Sequence, residues 1–243
     1  MDFLNAFGIA VVFALAGCVK GITGMGLPTV AVSLLGLWLP PVQAAALLIV
    51  PSLATNLAQC RGPHARVLVA ALWPAWGCLA LVTSLAPAAG AGGAGPDARA
   101  LLGLTLVLYG VWGLWRPSLP DLARHRRWAG PCAGVLTGLV AASTAVFVMP
   151  LVPYLQALRL QKDVLVQALG LSFTVATLAL AVRVGAAPEV SLLSPGAAVA
   201  LLAACAGLAC GNCLRSRLSG TAFQRALFVT FAALGIANLM RLS

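Results

Sequence analysis

Between Gly21 and Pro28 the chain reads Gly-Ile-Thr-Gly-Met-Gly-Leu-Pro, three glycines within six residues and then a proline. Glycine visits left-handed backbone conformations freely and proline lacks an amide hydrogen, so this spacing disfavours a continuous helix and favours two half-helices with naked peptide groups between them. The first N–H groups of a half-helix are unpaired and sit at the positive end of its dipole, which is the chemistry of anion binding. A second such stretch, Ala141-Ala-Ser-Thr-Ala-Val-Phe-Val-Met-Pro150, offers the hydroxyls of Ser143 and Thr144 in place of glycines, and Pro150 with Pro153 interrupts the helix there. Asn56, in Pro51-Ser-Leu-Ala-Thr-Asn, joins these candidates because an amide in an apolar run needs a partner. The solute-binding set is therefore Gly21, Thr23, Gly24, Met25, Gly26, Asn56, Ser143 and Thr144. Each has a second use. Small residues let helices pack closely, hydroxyls bond back to their own backbone, and a buried amide can glue two helices together.

Lys20 is the basic residue flanked by apolar sequence beside the first glycine cluster. It can supply positive charge to an anion or snorkel to the surface, and its place late in the run favours snorkelling. Arg183 is expected to snorkel as well. Gln43, Gln156 and Gln167 lie nearer segment ends and are weaker candidates. Asp2, Asp97, Asp121, Asp163 and Glu189 all fall at loops or edges, which argues against a carboxylate relay inside the membrane. No phosphate-binding G-x-x-x-x-G-K-[ST] and no H-E-x-x-H occurs, so neither ATP-driven transport by this chain nor zinc proteolysis fits, and no metal or cofactor is expected.

The elements that must position these residues are membrane helices. Of 243 residues, 61% are hydrophobic and only 8% charged, well away from soluble composition. At roughly 20 residues per span, the length accommodates about eight to ten hydrophobic segments and almost no soluble domain. Apolar runs occupy roughly 3–19, 22–39, 43–59, 67–88, 100–115, 129–158, 164–184, 195–213 and 222–240. The net charge of +10 sits in short loops, so it records positive-inside topology rather than nucleic-acid binding. Seven cysteines, an odd number, read as small apolar filler, although Cys210-Gly-Asn-Cys213 matches C-x-x-C. Leu15-Ala-Gly-Cys18 resembles a lipoprotein cleavage box, but no Lys or Arg precedes it, so the start reads as mature protein.

Placing the basic loops 61–66 and 116–127 in the cytoplasm makes 67–88 and 100–115 an out-and-back pair around the 87–99 loop. Arg215 and Arg217 then fall inside and Glu189 outside. Residues 3–39 enter and leave on the outer side, hinged near Lys20 to Gly26, and 129–158 enters and leaves on the inner side. The expected fold is an all-α polytopic membrane protein of two inverted-topology repeats, 1–117 and 128–243 joined by a basic cytoplasmic linker 116–127, each opened by a broken or re-entrant helix. Gly17-Cys-Val-Lys-Gly21 and Gly134-Val-Leu-Thr-Gly138 mark the two openings.

The run Gly-Ile-Thr-Gly-Met-Gly-Leu-Pro, then Pro40-Pro41, Gln43-Ala-Ala-Ala and Pro51-Ser-Leu-Ala-Thr-Asn56, resembles the TauE/SafE family of sulfite-exporter-like permeases. Val148-Met-Pro-Leu-Val-Pro-Tyr-Leu-Gln-Ala-Leu158 and Gln167-Ala-Leu-Gly-Leu-Ser-Phe-Thr174 extend the likeness through the second half. The resemblance implies an inner (plasma) membrane permease with two inverted halves, exporting sulfite, sulfonates or related organosulfur anions and coupled to an ion gradient. The coupling ion and oligomeric state, a homo-oligomer included, are left open. The chain is read as a transporter and not an enzyme; the other classes are a non-transporting membrane scaffold or accessory subunit and a thiol enzyme using Cys210 and Cys213.

Overall fold

The computed structural model describes residues 3–86, 96–115, 119–186, 191–215 and 220–240. Asp2, Glu189, Arg217 and residues 87–95 and 116–118 of the two expected loops lie outside the described residues. Among the described residues the chain is all-α, with ten helices: α1 (Phe3–Thr23), α2 (Leu27–Leu35), α3 (Pro41–Cys60), α4 (Ala65–Leu85), α5 (Pro96–Trp115), α6 (Arg126–Thr144), α7 (Leu151–Ala157), α8 (Lys162–Gly185), α9 (Pro195–Arg215) and α10 (Gly220–Met240). Six stretches among them, Phe3–Thr23, Val42–Cys60, Ala65–Leu85, Lys162–Gly185, Pro195–Arg215 and Phe223–Met240, are long and apolar enough to cross a bilayer. Large apolar side chains such as Phe3, Trp73, Trp115, Val182 and Leu202 point outward, which suits lipid and not water.

The expected segment 3–39 is a hairpin. The chain turns after Thr23 and α2 runs back beside α1, so that a Cβ built on Gly8 would lie 3.5 Å from the Trp38 ring. The expected hinge near Lys20 to Gly26 narrows to 24–26, because Gly24 N–H still bonds the Lys20 carbonyl at 2.7 Å and keeps Lys20 helical. The second opening is built alike. Leu122 N–H, just before α6, bonds the Ala157 carbonyl at the end of α7 at 3.1 Å, so α7 returns to the level where α6 began.

Two exchanges of partner tie the chain together: α1 packs chiefly on α9, and α6 chiefly on α4. Counted from the start of each set of five, the first helix of either set packs on the fourth of the other, while third meets third (α3 on α8) and fifth meets fifth (α5 on α10). The glycines set the spacing of the exchanged pairs. A Cβ on Gly17 would come within 2.3 Å of the Ala204 carbonyl, and one on Gly134 within 2.2 Å of the Ala75 carbonyl, distances no side chain can occupy. The repeated Gly-x-x-x-Gly segments thus lie in unbroken helix and serve close packing; the interruptions come after them.

Candidate functional site

Thr23 ends α1. Its hydroxyl lies 2.9 Å from the Val19 carbonyl and 2.8 Å from that of Met25, and accepts from the Met25 N–H at 3.2 Å, which replaces the helical bonds lost at the turn. Gly24 (φ 82°) and Gly26 (φ 99°) then carry the chain through left-handed conformations that a side chain would resist. α2 starts at Leu27 with Pro28 in its first turn and no side-chain cap, so no side chain takes up the amides at its N-terminus. The free carbonyl of Gly24 accepts from Gln59 Nε2 at 2.7 Å, which fixes the turn to the end of α3. Gln59 Oε1 and Thr29 Oγ1 are buried there without a protein partner.

One side of this turn faces a cavity of about 280 Å³. Thr23 and Met25 line it from the break, Tyr109 and Trp112 from α5, Gln156 from α7 and Phe228 from α10. The Tyr109 hydroxyl lies 3.2 Å from Met25 Sδ, and the Tyr109 ring packs edge-on to Phe228 with centroids 5.3 Å apart. The walls are therefore apolar and aromatic, with a few polar groups, the usual make-up of a small-molecule site. Gln156 matters because it brings the second hairpin to the first break.

Lys20, three residues before Thr23 on α1, is not among the residues that line this cavity. It does not snorkel: it is 1% exposed, and its Nζ donates to Thr55 Oγ1 at 3.0 Å and to Asn56 Oδ1. Asn56 passes the chain on through Nδ2 to Thr177 Oγ1 of α8 at 3.5 Å. The snorkelling expectation fails because the hairpin turns back immediately after Lys20, so the side chain meets α3 where a straight span would have carried it to the surface. Asn56 thereby bridges α1, α3 and α8. Arg183 likewise reaches protein and bonds the Thr83 and Ala86 carbonyls at the end of α4.

The other candidates are placed differently. Gly21 faces α9, where an added Cβ would meet the Leu208 carbonyl at 2.6 Å. Thr144 ends α6 with a bond to the Val140 carbonyl at 2.7 Å and accepts from Val146 N–H at 3.2 Å. Ala145 takes the left-handed conformation (φ 55°), and Val146, Phe147 and Val148 after it are buried. Neither Ser143 nor Thr144 lines the cavity at the first break. Gln167 holds the Cys60 and Gly62 carbonyls at 3.0 and 2.9 Å, an anchor for the 61–64 loop. None of the seven cysteines is in a disulfide, and Cys210 and Cys213 are exposed on α9.

Sequence reasoning missed Gln59, Tyr109 and Trp112. Gln59 carries a usable signal, a second amide three residues after Asn56. Tyr109 is one of two tyrosines in the chain and stands in the middle of an apolar run. A family model described as "Sulfite exporter TauE/SafE" matches residues 9–238. No curated protein and no solved structure matches the chain.

Proposed function

The chain belongs to the sulfite exporter TauE/SafE family, a family of multi-pass membrane transporters, and from that premise we propose that it is a secondary carrier of a small sulfur-containing anion, sulfite or a sulfonate, across the plasma membrane. The observation that carries this reading is Lys20: a fully buried amine hydrogen-bonded to the neutral oxygens of Thr55 and Asn56, one helical turn from Thr23 at the mouth of the break. A buried amine with no carboxylate beside it either sheds its proton or needs a negative partner, and a visiting anion would be such a partner. The uncapped amides of α2 add a positive end of dipole at the turn that follows Thr23.

Within this reading the solute occupies the cavity beside Thr23 and Met25, its apolar body against Tyr109 and Trp112 and its oxygens toward Gln156 and the break. Residues 1–117 and 128–243 form two halves of inverted topology that rock against each other; the exchange of α1 onto α9 and α6 onto α4 supports that division. Transport of labelled sulfite and a panel of sulfonates into inverted membrane vesicles tests the proposal. Accumulation above empty vesicles is expected, and none for any anion of the panel removes the function.

A further inference from the structure

The residues that line the cavity gather at one end of the bundle. Thr23 is the last residue of α1 and Gln156 the next to last of α7, while Trp112 belongs to the last turn of α5 and Gln224 stands near the start of α10. Gln59, which holds the turn beside the cavity, is next to last in α3. Those ends adjoin the 61–64 loop and the basic linker before α6, so the cavity lies at the level of the basic loops. Thr23, Trp112, Gln156 and Gln224 are each partly exposed, as residues at an opening are.

Two arginines stand directly beside lining residues at this end. Arg159 N–H bonds the Gln156 carbonyl at 3.1 Å, and its guanidinium reaches the Leu119 carbonyl at 3.4 Å, on the chain that leaves α5. Arg159 therefore spans α7 and the segment after α5, two neighbours of the opening. A guanidinium has five N–H bonds, and the Leu119 contact engages one of its nitrogens, so donors are left for another acceptor. Arg225 follows Gln224 on α10, is exposed, and pairs with no other described residue. Neither Asp121 nor Asp163 lines the cavity, and Asp121 is occupied with the Ala123 N–H at 2.9 Å. No charged residue is among the lining residues themselves. A neutral pocket with a positive edge draws anions through the field focused between its low-dielectric walls, and then holds them by shape and hydrogen bonds.

Resting on the anion-carrier reading above, we propose that Arg159 and Arg225 form a capture rim for the cavity on the face that bears the basic loops, cytoplasmic by the positive-inside rule, and draw the anion in from that side toward Gln156 and the break. The two guanidiniums stand where an anion passes and not where it rests, so they act on entry and release. Both are exposed, and salt screens their field beyond about 8–10 Å. The planar fork of a guanidinium also suits the paired oxygens of sulfite or a sulfonate.

The test measures initial rates of labelled methanesulfonate and sulfite uptake by the full-length protein in inverted vesicles, whose outer face is the cytoplasmic one. Arg159→Gln and Arg225→Gln are each expected to raise KM about threefold at low salt with the maximal rate held, and the double variant about tenfold, because each removes a unit charge beside the entrance. At about 0.5 M salt, where exposed charges are largely screened, the variants and the wild type are expected to converge. Arg159→Lys and Arg225→Lys keep the charge and are expected to stay within about twofold of the wild-type KM. Arg66→Gln, on a helix that does not line the cavity, controls for the loss of basic charge elsewhere on the same face and is expected to leave KM unchanged. In right-side-out vesicles the rim variants are expected to match the wild type. Unchanged KM in both rim variants, an equal rise in Arg66→Gln, or a rise confined to right-side-out vesicles overturns the inference and leaves the carrier function standing. Absence of uptake of either anion by the wild type in both vesicle orientations removes the carrier function and this inference together.

Discussion

At the first break Thr23 closes α1 with a bond to the carbonyl four residues back and accepts the N–H two residues on; at the second break Thr144 closes α6 with the same pair of bonds. Beyond the two threonines the breaks diverge. Around Thr23 stand two left-handed glycines, a carbonyl held by Gln59, a lysine one turn before it and a cavity. After Thr144 come Ala145 in the left-handed region and a buried Val-Phe-Val run with apolar neighbours. One way of ending a helix therefore yields a polar site or a packed corner according to what the surrounding helices bring. Lys20, Gln59 and Gln156 make the difference, and two of these three belong to elements other than the broken helix.

The largest effects are expected from the packing beneath the breaks. Gly17→Leu and Gly134→Leu each force a side chain into a carbonyl of the exchanged helix, and each is expected to cost more than about 3 kcal/mol, seen as loss of monodisperse protein and a collapsed melting temperature. Tolerance of one and not the other would show that the two junctions are not held alike. Next in size is the charge. Lys20→Met is expected to lower anion transport about tenfold or more while the protein stays folded, since it removes a charged hydrogen-bonding group worth roughly 1.5–3 kcal/mol. Ser143→Ala at the second break is expected to change transport by less than about twofold, because Ser143 neither lines the cavity nor carries a charge. Equal effects of the two variants would erase the distinction between the breaks.

The smallest expected effects have opposite signs. Gly24→Ala places a side chain at φ 82° and is expected to destabilise by about 1–2 kcal/mol, whereas Ala145→Gly relieves a residue already at φ 55° and is expected to stabilise by about 0.5–1 kcal/mol. Thermal unfolding of the two variants in one detergent reads both. A loss of stability in Ala145→Gly would mean that its methyl group packs for more than its backbone strain costs.

Much of the fold is legible in the chain. Apolar runs of membrane length, glycines at 24 and 26 and proline at 150 announce helices and the places where they stop, because those signals act over a turn or two of backbone. Other residues mislead for equally specific reasons. Gly17 and Gly21 read as part of an interruption and are instead the surface on which α9 rests, since close packing and helix breaking draw on the same small residue. Lys20 reads as bound for the interface by its distance along the run, and the turn at 24–26 redirects it onto α3. Asn56 is recognisable as an amide in need of a partner, but that the partners are Lys20 and Thr177 depends on helices 36 and 121 residues away.

By itself the sequence determined composition, helical class, the hairpin openings and the positions at which the backbone leaves the helix, all properties of neighbouring residues and of a bilayer that accepts few other structures. Tertiary structure alone decided which face of each helix meets which other: α1 on α9, α4 on α6, and Gln59, Tyr109 and Gln156 gathered around one of two similar turns. The reason is that hydrogen bonds along a helix are written locally, whereas burial of a lysine or the opening of a cavity depends on packing between segments that share no sequence signal.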